Sequence, residues 1–107
     1  MKAVFRAIAD PTRREILDLL VSKEEESVME LTKDFDMSLP ALSQHLKVLR
    51  KAGLIAGRRE GRQIFYRLIP APLYEVARWI HPYEQFWKTK LDALEAHLRR
   101  RHGQHRP

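Results

Sequence analysis

No cysteine occurs among the 107 residues. That absence removes disulfides, thiolate metal sites, iron–sulfur clusters and cysteine nucleophiles together, and it fits a reducing, cytoplasmic setting. Glycine is also sparse. The four glycines never cluster as a phosphate cradle requires, and there is no Gly-x-Ser-x-Gly elbow, His-Glu-x-x-His pair or Walker-type loop. The expectation is a protein that is not an enzyme and holds no cofactor. Long hydrophobic runs are missing too. Arg6 follows only three apolar residues and Asp18 interrupts Ile16 to Val21, so neither a signal peptide nor a membrane span is expected.

Positive charge is plentiful. Twenty Lys and Arg against fourteen Asp and Glu leave a net charge of +6, which favours an anionic partner, nucleic acid before acidic membrane. The charge is local: residues 45–67 hold seven basic and one acidic residue, whereas residues 22–36 hold two Lys against six acids. With 44% hydrophobic residues the chain is long enough for one core. Residues 1–101 are taken as one domain and 102–107 as a basic tail without fixed structure.

Periodicity organises the rest. Val4, Phe5 and Ile8 recur at helical spacing, and Asp10-Pro11 suits the N-cap and first position of a second helix over residues 11–21, with Ile16, Leu17 and Leu20 inward. The run Lys23-Glu24-Glu25-Glu26 reads as a solvated loop. Val28, Leu31 and Phe35 mark a third helix, and Ser38 caps a fourth that runs from Leu39 to Ala52 and stops at Gly53. At about 100° per residue, Leu42, Leu46 and Leu49 form its back. Pro40, Gln44, Lys47 and Lys51 form its front, with Ser43 at the flank. Residues 55–60 and 63–68 read as two strands joined by Gly61-Arg62, glycine first as a type II′ turn prefers. Pro70 and Pro72 end the hairpin. Two further helices follow, one with Leu73, Val76, Ala77 and Ile80 inward, the next opening at Pro82.

Three short helices, a helix with a polar front and a basic hairpin are the order of a helix-turn-helix followed by a β wing. The fold class expected is mainly α (α+β), a winged helix-turn-helix with a two-stranded wing. Its chemistry suits double-stranded DNA, because the major groove admits one helix and the flanking phosphates reward positive charge. Ser38, Pro40, Ser43, Gln44 and Lys47 are the groove candidates: Gln44 for adenine, Lys47 for guanine or phosphate, the two serines for phosphates, Pro40 for a thymine methyl. Arg58, Arg59, Arg62 and Gln63 are the wing candidates, for phosphates or a narrow minor groove. A merely solvated helix face and a solubilising ribbon remain open alternatives. So does a winged helix that docks an acidic protein, with a membrane-surface role behind it.

The segments VFRAIADPTRREILDLL and LSQHLKVLRKAGLIAGRREGRQIFYRL resemble the ArsR-type winged-helix transcriptional repressors over residues 3–70. The tail WIHPYEQFWKTKLDALEAHL is similar to the cysteine-free branch of that family, described as autorepressors rather than metal sensors. The resemblance implies a sequence-specific DNA-binding repressor acting as a homodimer on an inverted-repeat operator, joined through its first and last helices. Val4, Phe5, Ile8, Tyr83, Phe86, Trp87, Leu91, Leu94 and Leu98 are the seam residues expected. They are more apolar surface than a monomer of this length readily covers, although completion of a monomeric core is the alternative. An unidentified small-molecule or protein effector would act at that seam.

Metal binding is not expected. Where metal-sensing members carry a cysteine pair on the third helix, this chain has Ser27 and Met29, so no thiolate is available. A second family site near the ends of the last helix is met only by His81, Asp92 and Glu95, with Trp79 in place of the usual acid and Pro82 interrupting. His45 reads as a hydrogen-bonded packing residue and His97 as exposed. His102 and His105, with Arg99, Arg100 and Arg101, form a basic end that touches phosphates or is solvated. Arg13 anchors a phosphate or pairs with an acid internally, and sequence alone does not separate these.

Overall fold

In the computed structural model the described residues are 1–105, with side chains described through Arg101. Helix α1 (Lys2–Ile8) and helix α2 (Pro11–Lys23) are followed by a short strand β1 (Glu25–Ser27), helix α3 (Val28–Asp34) and helix α4 (Leu39–Lys51). Strands β2 (Ile55–Glu60) and β3 (Gln63–Leu68) lead into helix α5 (Ala71–His105). The winged helix-turn-helix expected from the sequence is therefore present.

Local chemistry explains each boundary. Asp10 accepts the backbone N–H of Arg13 at 3.1 Å and Pro11 occupies the first turn, so α2 starts where its orphan donors are satisfied. Ser27 and Glu30 form a reciprocal capping box on α3. Ser38 caps α4 through Ala41 N–H. The other end of α4 is closed by a paired motif: Gly53 N–H donates to Arg50 C=O and Leu54 N–H to Leu49 C=O, both at 3.0 Å. Gly53 takes φ +76°, as this helix stop requires. Leu49 and Leu54 on either side of it are fully buried.

The sheet has three strands in the order β1-β3-β2, all antiparallel. Here the structure corrects the sequence reading. Glu25 to Ser27 are not a solvated loop but pair with Arg67 to Phe65 across the sheet, and Glu26 and Ser27 are buried. The hairpin register places Glu60 opposite Gln63, and Gly61 has φ +62° while Arg62 stays at negative φ, the type II′ arrangement. The core of this unit gathers Ile16, Leu20, Leu31, Leu42, Leu49 and Leu54, all essentially solvent-free.

The chain forms two compact units, Met1–Tyr74 and the segment from Glu75 onward. A second correction lies in α5. Pro82 does not open a new helix but sits inside a continuous one. Proline forfeits one N–H bond, and the amphipathic pattern on both sides carries the helix past that loss. α5 is helical through His105, so the tail expected to lose structure from residue 102 begins as helix; residues 106 and 107, and the side chains of His102 and His105, lie outside the described residues.

Candidate nucleic-acid interface

α4 is split by burial along its length. Leu42, Leu46 and Leu49 are 0–3% exposed, which fixes the rotation of the helix about its axis. The five groove candidates Ser38, Pro40, Ser43, Gln44 and Lys47 all fall on the exposed side. Because burying three leucines contributes several kcal/mol, rotating these polar groups inward would be costly. Ser38 also serves the backbone, since its hydroxyl accepts the N–H of Ala41 at 3.3 Å. Lys47, Arg50 and Lys51 project from the same helix into solvent.

Behind α4 a small network holds Arg13 and His45, and the partners of the Arg13 side chain are backbone carbonyls and an imidazole in place of the acid expected. Arg13 donates through Nε to the carbonyl of Ala7 at 2.7 Å and through Nη2 to that of Arg6 at 2.9 Å. Its Nη1 reaches His45 Nδ1 at 3.3 Å. Arg13 thus ties the end of α1 and the back of α4 to α2, and it is not a free phosphate anchor. His45 is the packing residue expected, with Asp10 3.9 Å away. The Arg13 N–H at the helix start holds the Asp10 carboxyl below its usual range.

The wing separates its arginines. Arg58 is gripped by two carboxylates: Nε and Nη2 donate to Glu25 at 2.9 and 2.6 Å, and Nη1 donates to Glu60 at 2.6 Å. Its guanidinium also lies 4.8 Å from the centre of the Phe65 ring, a cation–π contact. The bonds from Arg58 depress the Glu25 carboxyl, and the carboxylates in turn raise the guanidinium's pKa. This group braces β1 to the hairpin. Arg59, Arg62 and Gln63 are exposed at the tip, and neither Arg59 nor Arg62 has a side-chain partner among the described residues.

Three features escaped the sequence reading. Gly57 is one: a Cβ there would come within 2.9 Å of the Tyr66 ring and 3.2 Å of Ile64, so glycine lets the two hairpin strands close over that ring. An isolated glycine in a strand pattern is the signal that pointed there. Glu26 is another. It is 2% exposed, its Oε2 is buried without a hydrogen-bond partner, and burial raises its carboxyl pKa, with Glu30 and Asp34 adding to the effect. The third is the Glu25–Arg58 pair, which no local pattern announces. Ser27, at the position compared with a metal-sensing cysteine, spends its hydroxyl on capping α3, and Met29 is 61% exposed.

The seam candidates are placed unevenly. Val4 is buried in the core of the first unit and so leaves nothing to offer a partner. Ile8 is half-buried and Phe5 is 36% exposed. On α5, Tyr83, Phe86, Trp87, Leu91, Leu94 and Leu98 are each 48–64% exposed. His81 is exposed beside Gln85 and Glu84. Among the described residues no group of three or more His, Asp or Glu side chains could hold a metal ion, and no helix is long and apolar enough to cross a membrane.

With this geometry in view, residues 10–56 match the profile of the "Bacterial regulatory protein, arsR family". The chain is 39% identical over 80 residues to the transcriptional repressor SdpR of Bacillus subtilis, covering 75% of this chain and 88% of that protein. It is 33% identical to the arsenical resistance operon repressor of Escherichia coli, covering 90% of this chain and 80% of that one. The chain belongs to the ArsR family. An ArsR-like transcriptional regulator from Rhodococcus sp. RHA1 superposes on it with a TM-score of 0.70 at 32% identity, covering 92% of this chain and 89% of the other. This ArsR-family chain is a DNA-binding transcriptional regulator and not an enzyme. Its lack of cysteine fits the cysteine-free branch.

Proposed function

We propose that this ArsR-family protein is a homodimeric, sequence-specific repressor that reads an inverted-repeat operator with α4 and steadies itself on the backbone or minor groove with the wing. The observation that carries the reading is the exposed front of Ser38, Pro40, Ser43, Gln44 and Lys47 on a helix whose back is locked in the core. In the groove Gln44 bonds an adenine edge, Lys47 a guanine or phosphate, and the serines phosphates. Arg59, Arg62 and Gln63 supply the wing contacts. Arg58 keeps them in place rather than joining them, since its charge is already matched.

The dimer rests on α5. Tyr83, Trp87, Leu91, Leu94 and Leu98 recur every three or four residues and remain about half exposed, the stripe that a two-helix seam buries. The family resemblance adds Phe5 and Ile8 of α1 to that seam. Repression then follows from exclusion of polymerase at an overlapping promoter, the protein's own among the candidates. An effector acts at the seam by altering the distance between two reading heads.

Selection of bound fragments from the genome, followed by footprinting, tests this. The expected result is a protected inverted repeat with half-sites about 34 Å apart, one turn of DNA. Protection of a single half-site, or enrichment of no shared sequence, would overturn it.

A further inference from the structure

We propose that the groove between α3, α4 and β3 binds a small amphiphilic carboxylate, and that a ligand seated there blocks the DNA-reading face. The groove has a volume of about 450 Å³, in the range of sites that enclose small organic molecules. Its walls are apolar: Val28 and Met29 from α3, Leu39 and Leu46 from α4, Ile64 and Tyr66 from β3. Lys47, Arg50 and Arg62 stand at its rim, and no Asp or Glu lines it.

Two arguments fix the ligand's chemistry. The first is that a phosphate needs only part of the groove. A phosphate is satisfied by the cations at the rim and gains nothing from an apolar wall, yet Met29 and Leu39 are 61% and 52% exposed here. An apolar chain or ring would cover them. The second is charge. Lys47, Arg50 and Arg62 engage no ion pair or side-chain hydrogen bond among the described residues, unlike Arg58 only a strand away. Cations held at the mouth of an apolar cleft suit a ligand with one anionic head, and a carboxylate meets Lys and Arg in short charge-assisted bonds.

The groove is also placed to matter. Leu39, Ser43, Leu46, Lys47 and Arg50 share one flank of α4, at spacings of three and four residues. Ser43 and Lys47 belong at once to that flank and to the groove-reading front, and Arg62 and Gln63 belong at once to the rim and to the wing tip. A ligand head bound by Lys47 and Arg62 therefore takes the cations that DNA needs. This differs from release through the α5 seam, because it requires no change in the dimer. The blocking step rests on the DNA-binding reading of α4; the binding step does not.

The test uses decanoate, below its micelle-forming concentration, against the ¹⁵N-labelled full chain without DNA. Saturable shifts are expected at the amides of Val28, Met29, Ser43, Lys47 and Ile64, with decanol binding at least tenfold more weakly. Met29→Asn removes part of the exposed wall and Arg50→Gln removes a rim cation; each should weaken decanoate roughly tenfold, and Met29→Asn should leave DNA affinity unchanged. Shifts elsewhere, equal binding of decanol, or no saturation at millimolar decanoate would overturn the site. In a second arm, decanoate should raise the apparent Kd for DNA where equimolar acetate does not, and the Met29→Asn protein should resist it. If decanoate fills the groove while DNA affinity stays unchanged, the blocking step is wrong. If the protein binds no DNA at all, the reading of α4 falls, and the titration without DNA still decides the groove.

Discussion

Gln44 and Arg13 illustrate how differently two polar side chains of one DNA-binding unit are employed. Gln44 projects into solvent from the front of α4, whereas Arg13 spends its donors on the carbonyls of Arg6 and Ala7 and on His45. Replacing Gln44 by Ala should therefore leave the melting temperature unchanged and lower operator preference by about 1–3 kcal/mol, read by anisotropy against operator and scrambled duplexes. Unchanged affinity and preference would remove Gln44 from the reading. Glu26 is the opposite kind of residue. Burial raises its pKa above the ordinary 4.5, so the folded state binds its proton more tightly than the unfolded chain does. The resulting penalty is present at neutral pH and disappears as pH falls through the folded and then the unfolded value. Glu26→Met should stabilise the protein by about 1 kcal/mol near pH 7, with the advantage gone in acid; thermal melts of both proteins across pH check this. Asp10, Glu25 and Glu30 act in the other direction. Their folded pKa values are lowered, so the stability they contribute is lost as pH falls below their ordinary values of 3.8 and 4.5.

Within the elements, capping and packing decide what is displayed. α4 was legible from its leucines, from Ser38 and from Gly53, because each of these signals acts within a few residues. β1 was not. Three residues make a strand only because β3, some forty positions later, offers Arg67 to Phe65 as partners, and no local pattern encodes such a pairing. The role of Arg58 was hidden for the same reason, since its main partner Glu25 lies 33 residues away. The wing's two kinds of arginine should separate by salt. Arg59→Ala with Arg62→Ala should flatten the dependence of log affinity on log salt by about two units, one for each phosphate contact. Arg58→Ala should change the slope little. Glu25→Gln should release positive charge and tighten DNA binding at low salt. An equal loss of slope from Arg58→Ala would place that residue on the DNA after all. Glu24 closes α2 at φ +66°, a conformation that costs a residue with a Cβ about 1 kcal/mol or more. Glu24→Gly should accordingly raise stability in urea unfolding by up to about that amount.

At the scale of the molecule, the positive charge is concentrated on α4 and the wing while the apolar excess is concentrated on α5. Local charge located the first and sequence periodicity the second. That periodicity also led to two misplacements, each with a physical cause. Val4 shares its helical spacing with Phe5 and Ile8, and spacing alone does not say which of them faces the core. Pro82 resembles a helix start, and only the continuity of the pattern beyond it shows a helix that runs on. If α5 forms the seam, Leu91→Glu with Leu94→Glu should yield a monomer by sedimentation with the winged-helix unit still folded, and operator binding should drop sharply because two half-sites are no longer linked. A dimer that survives the double change would move the seam elsewhere. The most direct test of the central claim, that α4 reads sequence, is anisotropy of the purified protein with its own upstream region and a scrambled duplex of equal length, at about 150 mM salt where nonspecific attraction is weakened. A preference on the order of 1,000-fold that falls by about 1–3 kcal/mol in Gln44→Ala is the result predicted for an autoregulator. Equal, weak and salt-sensitive binding to both duplexes, repeated with the fragments enriched from the genome, would contradict the claim.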